Sequence, residues 1–285
     1  MTKANTEPRY RLVVFEAVDD RVAVRDLFCK VTHLHPTDAT QWVAKAPGAW
    51  PWPLPADQTR ALLDGLYDLG VAAEAWLVEK FPDLAPPRTI HNAACLAEGF
   101  RVEGLRGEPT HWVAWNKIEL ICAGSIEAED EFHAARPLKW SSAAVAAFRA
   151  FTLSNPRPFE RKARAMRVPR DPVGELIIVR KDPLLALRVV ETQMNYAYLG
   201  DRLKHSAAEN FPIFVSDLVA RADSAYITPS TKAWLKTSEP AGCMFPSSQA
   251  LLDYATHRLL WGWYQRDRER EGKEGGDDDR PKADD

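Results

Sequence analysis

The chain is short of nearly every feature that announces a chemistry. Cysteine is scarce: four occur in 285 residues (Cys29, Cys95, Cys122 and Cys243), none in a CxxC pair. That spacing excludes a compact structural zinc site and a disulfide framework, and it fits a reducing cytoplasm. His33 and His35 stand close together, but two imidazoles without a neighbouring carboxylate or thiol make a poor metal site, so they read as surface histidines. No metal and no cofactor is expected. GxSxG, GxxxxGK[ST], GxGxxG and HExxH are all missing, which removes the motif-borne hydrolases, nucleotide binders and zinc proteases. Cys95 and Cys122 lie in apolar strand patterns, where a free thiol is normally buried and inert. An excess of one charge is missing too: 37 Lys and Arg against 40 Asp and Glu leave a net charge of −3, against nucleic-acid binding over the whole surface. No apolar run approaches the roughly 18 residues of a membrane helix. The polar start Met1 to Pro8 has no apolar core of a signal peptide, so no membrane partner is expected.

What the chain does have is a hydrophobic content of 46% and a charged content of 27%, enough to bury a sizeable core. Composition divides it. Phe81-Pro82-Asp83-Leu84-Ala85-Pro86-Pro87 has three prolines without backbone donors and reads as an extended linker over residues 81–88. Residues 1–80 form a small module before it, expected to fold alone, and 89–270 a larger domain after it. A second break lies at Ser154 to Pro172. From Glu271 to Asp285 glycines and an Asp277-Asp278-Asp279 run leave nothing apolar to offset ordering, and an acidic disordered tail is expected.

In the first module, Tyr10 to Phe15 is rich in β-branched and aromatic residues and predicts a buried strand. Asp20 then caps a helix with Val24, Leu27, Phe28 and Val31 on one face. A second helix covers Thr37 to Lys45, and after the rigid Ala46-Pro47 to Pro55 stretch a third carries Ala61, Leu62, Leu66 and Leu69. Gly70 stands where a left-handed cap is wanted, and Val71 to Val78 returns as a strand.

That order, with Arg21-Val22-Ala23-Val24, Val31-Thr32-His33-Leu34, Ala39, Val43, Ala46-Pro47, Ala61-Leu62, Leu66, Gly70 and Glu74 in nearly unbroken register, resembles the C-terminal domain of the bacterial large-subunit ribosomal stalk protein over residues 10–78. The resemblance implies a small α/β sandwich that docks proteins through the start of its first helix, here Arg21, Val22, Ala23 and Arg25. It also implies the alternative of a ribosome-associated component that binds translation factors. The chain departs from the family at Asp26, Cys29, Thr37 and Thr40, where basic residues of the factor-binding surface belong.

Beyond the linker, Arg88 to Leu96, Phe100 to Leu105, His111 to Ala114 and Lys117 to Cys122 predict a meander of about four antiparallel strands. A short helix at Ser141 to Phe151 and strands at Glu175 to Arg180 and Leu184 to Val190 follow. Asn210 is expected to cap a helix, with Ser206 and Glu209 forming an S-x-x-E capping box, and a last helix spans Ser247 to Arg268. The fold class is therefore α+β: a stalk-like α/β sandwich followed by an antiparallel sheet with covering helices.

Two further features bear on partners. Arg157, Arg161, Lys162, Arg164, Arg167 and Arg170 lie within fourteen residues against the single acid Glu160, a candidate site for an acidic or phosphate-bearing partner. Asn195 to Asn210, with Tyr196, Tyr198, Asp201 and Arg202, is the densest polar and aromatic cluster and the place for a catalytic site if the chain is an enzyme. Ten tryptophans are many, and Trp50, Trp52, Trp261 and Trp263 near proline loops or a chain end suit an interface or a domain junction. These features together predict a non-enzymatic cytoplasmic adaptor or docking protein with an unidentified protein partner.

Overall fold

The structure, a computed structural model, describes residues 7–44, 46–103, 109–127, 171–236 and 243–274. The helix expected at Ser141 to Phe151 and the basic run from Arg157 to Arg170 lie outside them. The described residues from 7 to 126 and from 173 to 274 belong to one compact unit, and residues 81–88 run inside it.

The first part follows the order read from the sequence: β1 (Arg9–Val14), α1 (Arg21–Thr32), α2 (Pro36–Val43), β2 (Gly48–Ala49), β3 (Leu54–Pro55), α3 (Ala56–Asp68) and β4 (Ala73–Leu77). β1 is central, antiparallel to β4 along one edge and to the short β2 and β3 along the other. Local chemistry sets the helix ends. Asp20 accepts the Val22 and Ala23 N–H groups at 3.1 and 2.9 Å, and His35 Nδ1 accepts from Thr37 N at 3.2 Å. His33 closes α1 in the left-handed region at φ 58°. Gly70 at φ +69° lets its N–H reach the Tyr67 carbonyl at 2.9 Å and the Val71 N–H reach Leu66 at 2.8 Å, a Schellman closure of α3.

The larger part contains β5 (Arg88–Ile90), β6 (Asn92–Cys95), β7 (Phe100–Glu103), β8 (His111–Val113), β9 (Ile118–Ile126), β10 (Val173–Arg180), β11 (Leu185–Val190), α4 (Ala207–Arg221), β12 (Tyr226–Ile227), α5 (Pro229–Lys236), β13 (Met244–Phe245) and α6 (Ser248–Glu274). The expected four-strand meander is two structures. β6, β7 and β8 make a three-stranded antiparallel sheet, whereas β9 joins a six-stranded sheet ordered β12-β9-β10-β11-β5, with β13 also on β9. β9 is buried on both faces over nearly all of its length, which demands a central position that the edge of a meander does not offer. The strand expected across 88–96 breaks at His91, whose carbonyl receives the Asn195 N–H at 2.7 Å, so β5 pairs parallel with β11 and β6 turns to β7.

α6 organises the whole. Leu251, Leu252, Ala255 and Leu259 pack on one face of the large sheet, against Leu120, Cys122, Ile177 and Val179. Leu260, Trp261 and Tyr264 pack on the opposite side, against Val13 and Phe15 of β1. Alternation along β1 makes this possible: Leu12 and Val14 face α1 to α3 while Val13 and Phe15 face α6. The first module therefore does not close on itself. Leu84, in the stretch read as a linker, is buried in the core beneath α6. The other face of the large sheet is covered by α4 through Phe211, Phe214, Val215 and Leu218, together with the β6-β7-β8 sheet.

Ser206 caps α4 through a complete capping box with Glu209. Asn210 does not cap it. Asn210 lies one turn in, buried, where its side-chain oxygen accepts the Lys204 N–H at 2.7 Å and its amide donates to the Lys204 and Ser206 carbonyls. α6 continues to Glu274, past the residue 271 at which the tail was expected to begin. Glu and Lys in that stretch are good helix formers and extend the preceding helix. The observed class is α+β. No helix among the described residues is long and apolar enough to cross a membrane.

Candidate functional site

A cleft of about 1460 Å³ opens where β1, the 46–52 loop, the 78–85 stretch and the first half of α6 meet. One wall is aromatic because the core of the first module reaches the surface there. Phe28 and Trp50 stack with ring centres 4.6 Å apart, Trp42 meets Trp50 edge-on at 4.2 Å, and Trp52 leans on Trp50 at 5.5 Å. Trp50 is 1% exposed and Trp52 is 52% exposed, so the stack runs from core to solvent. The α6 wall presents Tyr254, His257 and Arg258, and Phe81 comes from the 78–85 stretch.

Cations lie within the cleft and carboxylates at its rim. The Arg11 guanidinium sits over the Phe81 ring at 4.8 Å and that of Arg258 over Tyr254 at 5.2 Å. Among the described residues neither arginine makes an ion pair. Asp38, Asp83 and Asp253 are all exposed on the lining. His257 is 5% exposed, and burial, reinforced by Arg258, holds its imidazole down at about 4 against a hydrogen bond to the Val14 backbone that works the other way. The ring is therefore neutral at pH 7. With one nitrogen donating to the Val14 carbonyl, Nε2 is an acceptor.

Five buried side-chain nitrogens among the described residues have no hydrogen-bond partner within the protein, and four of them belong to residues that line this cleft: Arg11 Nε, Trp50 Nε1, His257 Nε2 and Arg258 Nε. Buried polar atoms are nearly always paired, so four such residues on one cleft lining mark the site.

Elsewhere polar clusters are occupied. Buried Glu175 takes two bonds from Arg188 and one from Ser248, which fixes the start of α6 to β10 and β11. Burial alone pushes the Glu119 carboxyl up, but Arg266, Trp263 and Lys181 together hold it below its ordinary value. In the Asn195 to Asn210 segment, Asn195 caps its own turn through Ala197, Tyr198 and Arg202 both bond Asp217, and Ser206, Glu209 and Asn210 serve α4. Burial pushes the Cys95 and Cys122 thiols up to about 12, which keeps both protonated and unreactive. Among the described residues no group of three potential metal ligands comes together.

Of the docking residues read from the sequence, Arg21 and Val22 are exposed on the first turn of α1, Ala23 is half-buried, and Arg25 is held by Asp26 at 2.6 Å. They stand apart from the cleft lining. Trp50 and Trp52 belong to the cleft, while Trp261 and Trp263 seal the contact of α6 with the first sheet. Sequence reasoning missed Arg11, His257 and Arg258. The available signals were an arginine, Arg11, next to the apolar run of β1 and a His-Arg pair in the mostly apolar stretch of α6. Comparison of the chain with protein families, curated proteins and solved structures gives no match.

Proposed function

We propose that the protein is a non-enzymatic cytoplasmic interaction protein whose N-terminal module is a docking domain, and that docking takes place in the aromatic cleft shared with α6. The observation that carries this reading is that four residues with a partnerless buried polar atom line one cleft, beside an aromatic wall whose Trp52 is half open to solvent. Such a site has binding groups in place, and its histidine is neutral, while the buried thiols of Cys95 and Cys122 lie away from it and are held protonated. The β-α-α-β-β-α-β order supports a resemblance to the ribosomal stalk domain. The Arg25–Asp26 pair and the departures at Cys29, Thr37 and Thr40 weigh against the factor-binding role, so the cleft is favoured over the start of α1 as the docking surface.

A photoreactive benzoylphenylalanine placed at position 52 of the full chain in host cells tests this. Discrete protein adducts from position 52, with none from the exposed position 98, are expected. Identical adduct patterns from both positions would refute cleft docking.

A further inference from the structure

Resting on that reading, we infer that the cleft recognises a partner segment carrying an aromatic residue beside a single carboxylate. Three observations select this occupant.

The first is charge. Among the described residues the partly buried Arg11 and Arg258 make no ion pair and the Nε–H of each has no partner, while the Arg258 guanidinium also hydrogen-bonds the neutral Tyr226 side chain. A planar guanidinium in that state is matched by a carboxylate, which accepts two parallel bonds from it. The rim limits how much negative charge is tolerated. Asp38, Asp83 and Asp253 are exposed around the lining and repel a polyanion, so a nucleic-acid strand or a run of acids is disfavoured where one carboxylate is not.

The second is shape and surface. A volume of about 1460 Å³ exceeds the roughly 300–1,000 Å³ of small-molecule pockets, which favours a short stretch of chain over a metabolite. Trp52, on the lining and 52% exposed, offers a ring to an aromatic side chain.

The third is the pair of neutral groups. Trp50 Nε1 needs an acceptor and His257 Nε2 needs a donor. A peptide backbone brings both, one carbonyl and one N–H, without adding charge.

Fluorescence polarisation with the full chain and labelled peptides decides the matter. The reference probe is Gly-Pro-Trp-Asp-Gly with blocked ends; the others replace Asp by Asn, replace Trp by Ala, or extend Asp to four consecutive acids. The reference peptide is expected to bind, and each of the other three at least about tenfold more weakly. Arg11→Gln and Arg258→Gln should lower affinity for the Asp peptide to that of the Asn peptide while leaving the Asn peptide unaffected. Equal binding of the Asp and Asn peptides would overturn the carboxylate requirement and leave cleft docking standing. Tighter binding of the four-acid peptide would overturn the limit to one charge. If no peptide binds but indole-3-acetate does by calorimetry, the occupant is a small molecule and the inference fails. If neither binds while position 52 still gives protein adducts, the inference fails and the docking reading survives.

Discussion

Acidification isolates the contribution of one buried side chain. His257 is neutral in the fold, with its pKa held at about 4, whereas in the unfolded chain it returns to the ordinary 6.5. Between those values the unfolded state binds the proton and the folded state does not, so stability falls as pH falls. The loss is negligible above pH 7, about 1.4 kcal/mol at pH 5.5 and about 3 kcal/mol at pH 4, since each pK unit of difference is worth about 1.4 kcal/mol. That is a large fraction of the roughly 5–15 kcal/mol that holds a domain folded. Carboxylates such as Glu119 and Asp217, held low by their arginine partners, also cost stability on acidification. The informative quantity is therefore the difference between the natural protein and His257→Gln, measured by urea unfolding with tryptophan fluorescence at pH 7.5, 5.5 and 4. The natural protein should lose about 3 kcal/mol more than the variant across that range. Parallel losses would show that His257 gains its proton without resistance and is not desolvated in the cleft.

Two substitutions test the packing. Gly174→Ala places a methyl group 2.6 Å from two Phe211 ring carbons and 2.7 Å from Glu191 Oε2, and should destabilise by about 1–3 kcal/mol in urea unfolding. Leu260→Ala, at a fully buried contact between α6 and β1, should cost about 2–5 kcal/mol and lower one common thermal midpoint, whereas a separate early transition would mean that the first module melts alone.

What was legible in the sequence was local. The Asp20 cap, the glycine closure after α3 and the Ser206–Glu209 box are each completed within a few residues, so their chemistry can be read along the chain. The apolar run at Ile118 to Ile126 predicts a strand but carries no information on which sheet takes it, because β-pairing is settled by burial on both faces and by distant partners. The stripe of Leu252, Ala255, Leu259 and Trp263 reads as one buried face of the last helix. The second face, with His257, Leu260, Trp261 and Tyr264, is hidden in the same residues until two sheets are known to flank them. The cleft shared that fate: its tryptophans stood out, but His257 and Arg258 join its lining only when α6 docks across β1.

That docking has a consequence for biosynthesis. β1 is made first among the described elements and α6 last, yet α6 covers the outer side of β1 and one face of the β9-β10-β11 sheet. On a ribosome, Val13, Phe15, Leu120 and Ile177 must wait for residues 251–264 to leave the exit tunnel before they are shielded from water. The nascent chain thus carries unfinished apolar surfaces until α6 has emerged, a state that invites chaperone attendance and makes completion of the fold a nearly simultaneous event for both sheets.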